Sequence, residues 1–335
     1  MKAAVTGASG FIGSVLVREL LDRGCAVRAV MHQDNGSLAG LDIERVTADV
    51  REPDSLPQAV QGIDTVFHLA SVISLVGDRG GLVSETNIEG ARNIANASLA
   101  AGVKRFVHFS SIHAFDLRDS KANIDEETPR AGDSHPIYDR TKWAGEQAVR
   151  GVIAKGLDGV IVHPSGVIGP GDHQPSRIGQ VLLDLERGKL PALVPGGFDW
   201  VDVRDVVSGA IAAGERGRTG ESYLLSGHWH SSRELAEFGA EVSGAAPPRM
   251  TVPMWLVRGL APFGDLWGHM TKTEPQLNSD SLAALRAARQ ISHQKAADEL
   301  GHQPRAIRAS VHDAYRWFDE RNMLSKPLGE VSRGS

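Results

Sequence analysis

The chain has one cysteine, Cys25, in 335 residues. That excludes an internal disulfide and any metal site built on several thiolates. Cys25 follows Gly24 at the start of an apolar run, a place for a small buried filler. Long hydrophobic runs are missing as well, and none approaches the roughly 20 residues that span a bilayer. Met1-Lys2 leads straight into Ala3-Ala4-Val5, without the layout of a secretory leader. A cytoplasmic protein is therefore expected. Positive charge is not in excess: 36 Lys and Arg stand against 41 Asp and Glu, a net charge of −5. A general nucleic-acid surface is thus disfavoured. Repeats and low-complexity tracts are absent too. The expected partner is a small molecule, with neither nucleic acid nor membrane. One stretch, Gly259–Met270 with Leu260, Phe263, Leu266 and Trp267, reads as lobe packing or as a monotopic amphipathic helix.

A hydrophobic fraction of 41% over this length suits one large globular domain, or a domain with a lobe. Short Val-rich runs recur at Ala3–Thr6, Ala26–Met31, Arg45–Ala48, Thr65–Ala70, Arg105–Ser110 and Gly159–His163. Continuous apolar runs are what strands covered on both faces require. Amphipathic helical patterns lie between them, with Gly24 and Gly102 placed as C-terminal caps. The alternation predicts an α/β fold, a Rossmann-type doubly wound parallel sheet. After Pro164 the pattern changes. Pro and Gly cluster, then a helix near Val203–Ala213, a strand at Tyr223–Leu225 and helices near Arg233–Val242, Trp255–Gly268, Asp280–Arg289 and Ala306–Asn322 are expected. Residues 1–165 read as the dinucleotide-binding core. Residues 166–326 read mainly as a smaller, mostly helical substrate lobe with returning core elements, and 327–335 as a polar tail.

The first strand runs into Thr6-Gly7-Ala8-Ser9-Gly10-Phe11-Ile12-Gly13 and then into a helix. Such a turn points free N–H groups and the positive end of a helix dipole at a pyrophosphate. NAD enzymes commonly end the second strand with an acid for the adenosine ribose. Here Met31 and His32 end it, with Asp34 beyond and Arg28 inside the strand. The missing acid favours NADP, with NAD the alternative.

Tyr138-Asp139-Arg140-Thr141-Lys142 puts a phenol and an ammonium on one helix face. A nearby cation favours phenolate and lowers the tyrosine pKa from its usual value of about 10. Tyr138 would then exchange a proton with a substrate oxygen. The motif begins one helix after a strand that ends at Ser110-Ser111, where a doubly wound sheet holds its ligands.

With these motifs the chain resembles an extended short-chain dehydrogenase/reductase, of the NAD-dependent epimerase/dehydratase family and its dihydroflavonol reductase-like subgroup. Further matching stretches are Phe67–Ser71, Asn87–Gly90 in a long helix, Pro164–Pro170, Val201–Val206 and Tyr223–Gly227. The resemblance implies an NAD(P)-dependent enzyme that interconverts a carbonyl and a secondary alcohol. Ser111 would hold the substrate oxygen, Tyr138 act as acid/base, Lys142 assist it and bind the nicotinamide ribose, and Asn87 order the site. The cofactor would lie against Gly7, Ser9, Gly10, Phe11, Ile12, Gly13, His32, Asp49, Val50, Leu69, Ala70 and Ser71, with Pro164 and Gly166 near the nicotinamide amide. A homodimer is implied as well.

Departures shape the substrate expectation. His113 stands where relatives have something smaller, and reads as an added proton donor or as a buried, hydrogen-bonded histidine. Phe115 replaces a common tyrosine, and Ser165-Gly166 replaces an asparagine near the nucleotide. The pocket segment Val72-Ile73-Ser74-Leu75-Val76 is apolar. A less polar carbonyl compound is favoured over a sugar nucleotide, with Val72, Ile73, His113 and Ser165 lining its pocket. An epimerase or dehydratase that keeps NAD bound, and a dinucleotide sensor without turnover, are the alternatives. His228-Trp229-His230 reads as surface turn histidines rather than a metal site. Asp202, Arg204 and Asp205 read as an ion-pair network closing the lobe.

Overall fold

Strands that bury both faces need helices on both sides, and that requirement sets the architecture of the first half of the chain. The computed structural model describes residues 1–74, 77–119, 123–252 and 289–329. Strands β1 (Lys2–Thr6), β2 (Ala26–Met31), β3 (Glu44–Thr47), β4 (Thr65–His68) and β5 (Arg105–Phe109) lie close to the expected runs. They are followed by β6 (Asn123–Ile124), β7 (Gly159–Pro164), β8 (Gly166–Ile168), β9 (Ala192–Leu193), β10 (Gly197–Asp202), β11 (Ser222–Leu225), β12 (His228–Ser231), β13 (Met250–Thr251) and β14 (Gln290–Ile291). Seven of them form one sheet in the order β11-β7-β5-β4-β1-β2-β3, with every neighbouring pair parallel. The strand order reverses between β1 and β4, and such a switch point opens a crevice at the carboxyl ends.

Helix α1 (Phe11–Asp22) covers one face of this sheet with Leu16, Val17 and Leu20. Helices α2 (Ala91–Ala100) and α3 (Ile137–Ile153) cover the other with Ile94, Ala95, Val149 and Val152. The helix that contains Asn87 is not uniform. Residues Glu85–Gly90 form a wider π-helical stretch between the turn Leu82–Ser84 and α2. There α3 comes very close: a Cβ on Gly145 would lie 2.1 Å from the Asn87 carbonyl oxygen.

The remainder contains more strand than expected. β8, β10 and β12 form a separate three-stranded sheet. Around it pack α4 (Arg177–Glu186), α5 (Val203–Arg216), α6 (Ser232–Ser243) and α8 (Ile307–Glu320), whereas α7 (Gln294–Leu300) packs on α5 and β11 and joins the first core through Ala296 and Leu300. α5 returns to the face of α1, and β11 to the main sheet, so the core draws on residues well past 165. The apolar faces of α4, α6 and α8 share a second core with Leu182, Leu235, Val311, Tyr315 and Phe318. Ion pairs tie the two parts: Arg204 bonds Asp202 and Asp313, each at 2.7 Å, and Arg305 bonds Asp205 at 2.7 Å. His228 and His230 sit on β12 rather than in a turn, because that segment pairs antiparallel with β10. Cys25 is half-buried against the first core rather than sealed in it. Among the described residues no three His, Cys, Asp or Glu side chains gather as a metal would need, and no helix is long and apolar enough to cross a membrane. The expected helices over 255–268 and 280–288, the segment 259–270, and residues 75–76 and 330–335 lie outside the described residues.

The tight crossing at Gly145 makes a stability prediction. Gly145→Ala adds one methyl where no space exists, so it should cost about 1–3 kcal/mol despite alanine's better helix propensity. Urea denaturation checks this. Gly151→Ala, where an added Cβ meets nothing within 4 Å, should be neutral or stabilising.

Candidate active site

The crevice begins at the glycine turn. Gly7 adopts φ +66°, and a Cβ there would lie 2.9 Å from the Ala70 nitrogen. A Cβ on Gly13 would lie 2.2 Å from the Gly7 carbonyl oxygen. The turn therefore folds on itself and against the chain leaving β4. Gly10 donates to the Gly7 carbonyl at 3.0 Å, and the first helical bond runs from Ser14 to Gly10 at 2.8 Å. The N–H groups of Phe11, Ile12 and Gly13 precede that bond. No side chain caps α1, and its first turn holds no acid. A dinucleotide pyrophosphate fits this cradle: backbone donors stand ready, a dipole favours an anion, and side chains are excluded where it would approach.

Thr6 locks the two sides of the switch point. Its hydroxyl shares a 2.7 Å hydrogen bond with His68 Nδ1 and accepts from the Leu69 and Ala70 N–H groups at 3.2 and 3.3 Å. Ala70 is thereby turned out of the ladder, which is why β4 ends at His68 rather than Ala70. Ser71 and Ile73 are exposed beyond it. Ser9 is held to the loop after β2: its hydroxyl donates to the Gln33 carbonyl at 3.3 Å, and its carbonyl accepts from Asn35 at 2.8 Å.

His32 stands exposed at the end of β2, with Nδ1 3.6 Å from the Asp49 carboxylate. Arg51 takes that carboxylate in a two-pronged bond, the closer prong at 2.6 Å, and holds it below its usual range. Asp49 thus stands between two basic groups. Arg28 points away, into the carbonyls of Gln58 and Gln61 at 3.0 and 2.9 Å and onto Glu44. Val50 is buried, and a Cβ on Gly90 would strike it at 2.6 Å.

Asn87 pins the chain after β4 from the other side. Its Oδ1 accepts from the Val72 N–H at 2.7 Å, and its Nδ2 donates to the Val72 carbonyl at 2.9 Å and to Thr141 Oγ1 at 3.1 Å. Val72 is thus held by its backbone to the same side chain that touches α3, one residue before Lys142.

Ser111, Tyr138 and Lys142 come together at the end of β5, each no more than 9% exposed. Lys142 Nζ donates to the Phe109 carbonyl at 2.8 Å. Burial lowers its pKa to about 8, against the pull of Glu146. Burial also pushes the Tyr138 phenol up to about 12, with Ser111 opposing the rise and Asp139 adding to it. This corrects the expectation of a phenol lowered by its neighbouring cation: desolvation disfavours both charged forms, and the ammonium is spent on a carbonyl. His113 is held as a hydrogen-bonded histidine, its Nδ1 3.0 Å from Asp139 Oδ1. Its ring meets that of Tyr138 edge-on at 5.5 Å and stacks on Phe198 at 6.0 Å.

The far wall is aromatic. A Cβ on Gly166 would lie 2.7 Å from Phe198 and from Trp200, so these two rings occupy the space of any longer side chain there. Ser165 does not join that wall. It meets Asp199, which lies on the other face of β10 and whose carboxyl burial pushes to about 6. Pro164 ends β7 beside Leu225 of β11. Sequence reading missed Arg51, Asp139, Thr141, Glu146, Phe198 and Trp200. Glu146 had a signal, standing one turn beyond Lys142. The aromatics had none, since their approach to Gly166 depends on β8 pairing with β10.

Residues 3–226 match the NAD dependent epimerase/dehydratase family. The chain belongs to that family. Sterol demethylase protein B of Methylococcus capsulatus is 35% identical over 97% of this chain and 100% of its own length. The 3-beta-hydroxysteroid dehydrogenase of Mycolicibacterium neoaurum is 30% identical over 90% of this chain and 87% of its own. The crystal structure of gox2253 superposes with a TM-score of 0.84 at 34% identity, covering 96% of this chain and 99% of that one. The chain is therefore an NAD(P)-dependent enzyme of the extended short-chain dehydrogenase/reductase type.

The Asn87 clamp makes a structural prediction. Asn87→Leu leaves the Val72 amide without its partner. Hydrogen exchange across residues 69–74 should speed up roughly 10- to 100-fold, while the interior of β1 keeps its protection.

Proposed function

We propose that this enzyme interconverts a ketone and a secondary alcohol on an apolar, alicyclic substrate of the hydroxysteroid kind. The observation that carries the reading is the wall of Phe198 and Trp200, which fills the side-chain space at Gly166 and continues through the stacked His113 to the Tyr138 ring. Apolar rings against that wall lose water-exposed surface on both sides, whereas a sugar diphosphate would leave its hydroxyls facing carbon. The sterol and hydroxysteroid names of the two relatives support the same class.

A bound nicotinamide supplies or accepts the hydride. The protein's own residues do the rest. Ser111 holds the substrate oxygen by a hydrogen bond. Tyr138, neutral across the physiological range because of its burial, gives its proton to that oxygen on reduction and takes it back on oxidation. Lys142 places a positive charge one turn from the phenol and favours the phenolate left behind. Asn87 and Thr141 hold Val72 and α3 in register.

NADP is the preferred carrier in this reading. The residue that ends β2 is followed by His32 rather than an acid, and His32 and Arg51 supply two basic groups against the single Asp49 carboxylate at that rim.

Purified protein is assayed with NADPH and NADH against saturated 3-ketosteroids and decalones, and in reverse against their alcohols. Turnover that consumes stoichiometric nucleotide is expected. Activity without added nucleotide, with NAD carried through purification, would overturn the reading in favour of an epimerase or dehydratase. Nucleotide binding without turnover would favour a sensor.

Two variants sharpen it. Tyr138→Phe should lower kcat about 10²- to 10⁴-fold and change the nucleotide dissociation constant by less than about threefold. Phe198→Ala should raise KM for a steroid ketone at least about tenfold, the cost of losing one buried aromatic contact.

A further inference from the structure

Beneath Ser111, Tyr138 and Lys142 lies an anion that the proposed chemistry does not use. Tyr138, Lys142 and Glu146 follow one another at four-residue intervals on one face of α3. Glu146 is fully buried. Its Oε1 accepts from Arg150 Nε and Nη2 at 3.0 and 2.9 Å, with Arg130 at 3.7 Å, and its Oε2 lies 2.8 Å from His163 Nε2. Ser110 Oγ donates to Oε2 at 3.3 Å. Lys142, one turn earlier, donates to the carbonyl of Phe109. The last two residues before Ser111 are thus gripped from one helix face, one through its carbonyl and the next through its hydroxyl.

We propose that Glu146 is a positioning residue for the reaction centre, seating Lys142 and the Ser110–Ser111 strand end from below. A buried carboxylate is costly unless paired. Burial does push Glu146 up, but His163, Arg130 and Arg150 outweigh it and keep the group ionised. The groups facing Lys142 from the packed elements are Tyr138 and Glu146 on its own helix, His68 on β4 and His108 on β5. Both histidines are buried, and desolvation lowers their pKa values, so they stay neutral. Among the described residues, Glu146 is therefore the carboxylate that keeps an ammonium in this dry pocket. Arg150 tempers it from the rim, where it also holds the Gly220 carbonyl and Ser222 at 2.7 Å each.

The test reads Lys142 directly and does not depend on the substrate class. Protein labelled with carbon-13 at lysine Cε is titrated by NMR, and Lys142→Met identifies the signal that titrates near 8. Glu146→Gln should move that midpoint down by about one pH unit, since a neighbouring anion is lost. Arg150→Met should move it up, since a cation is lost. If Glu146→Gln fails to fold, the direction of the Arg150→Met shift decides. An unmoved midpoint, or shifts of the same sign in both variants, overturns the proposal. The kinetic arm rests on the proposed function: the alkaline limb of ketone reduction should follow the same shifts. Shifted midpoints in a protein that reduces no ketone would leave the Glu146 seat standing and sink the proposed function instead.

Discussion

The active site depends on one helix crossing, the contact between Gly145 and the backbone of Asn87. Only a residue without a Cβ lets α3 reach that carbonyl. Because α3 sits so close, its buried face arrives over the end of β5, and Tyr138, Lys142 and Glu146 arrive with it. The same contact brings Thr141 within reach of the Asn87 amide, whose other bonds fix Val72. The wider π-helical stretch around Asn87 belongs to this crossing: it carries the carbonyl that α3 meets and the side chain that leaves the helix for Val72. A methyl group at Gly145 would disturb helix packing, the segment after β4 and the seat of the reacting groups together.

Burial is the second theme, and it works in two directions. It raises the Tyr138 phenol, which stays neutral, and lowers the Lys142 ammonium to about 8, so that its charge is held at neutral pH with less margin than in water. A proton donor for a carbonyl oxygen is best held neutral until the transfer, and a buried phenol meets that need. The lysine is the costly partner, since its charge must be kept in a dry place. The Phe109 carbonyl and the Glu146 carboxylate share that task, and Arg150 and His163 in turn keep Glu146 ionised.

The wall beside Tyr138 and His113 is set by packing rather than charge. Gly166 leaves no room for a polar side chain because two rings from β10 already fill it. Phe198 then carries the apolar surface to His113, and Asp139 fixes that ring against Tyr138. Asp199, between the two rings on β10, faces the other way and meets Ser165. This division between the faces of one strand follows from the two-residue period of a sheet.

The sequence by itself determined the frame and the candidate reacting groups. The runs at β1, β2, β5 and β7 were legible because strands covered on both faces must be apolar throughout. The turn was legible because close backbone approach at Gly7 and Gly13 leaves no room for a side chain. Tyr138 and Lys142 were legible because helical spacing places them on one face. Only the tertiary structure decided what surrounds them. His228 and His230 became a strand because β10 was there to pair with. The tyrosine's pKa rises where local reasoning expected a fall, since desolvation depends on everything that encloses a group. The aromatic wall, the Asp139 partner of His113 and the seat of Glu146 all come from residues far apart in the chain. Periodicity reports which face a residue occupies, and says nothing of what a distant element lays against it.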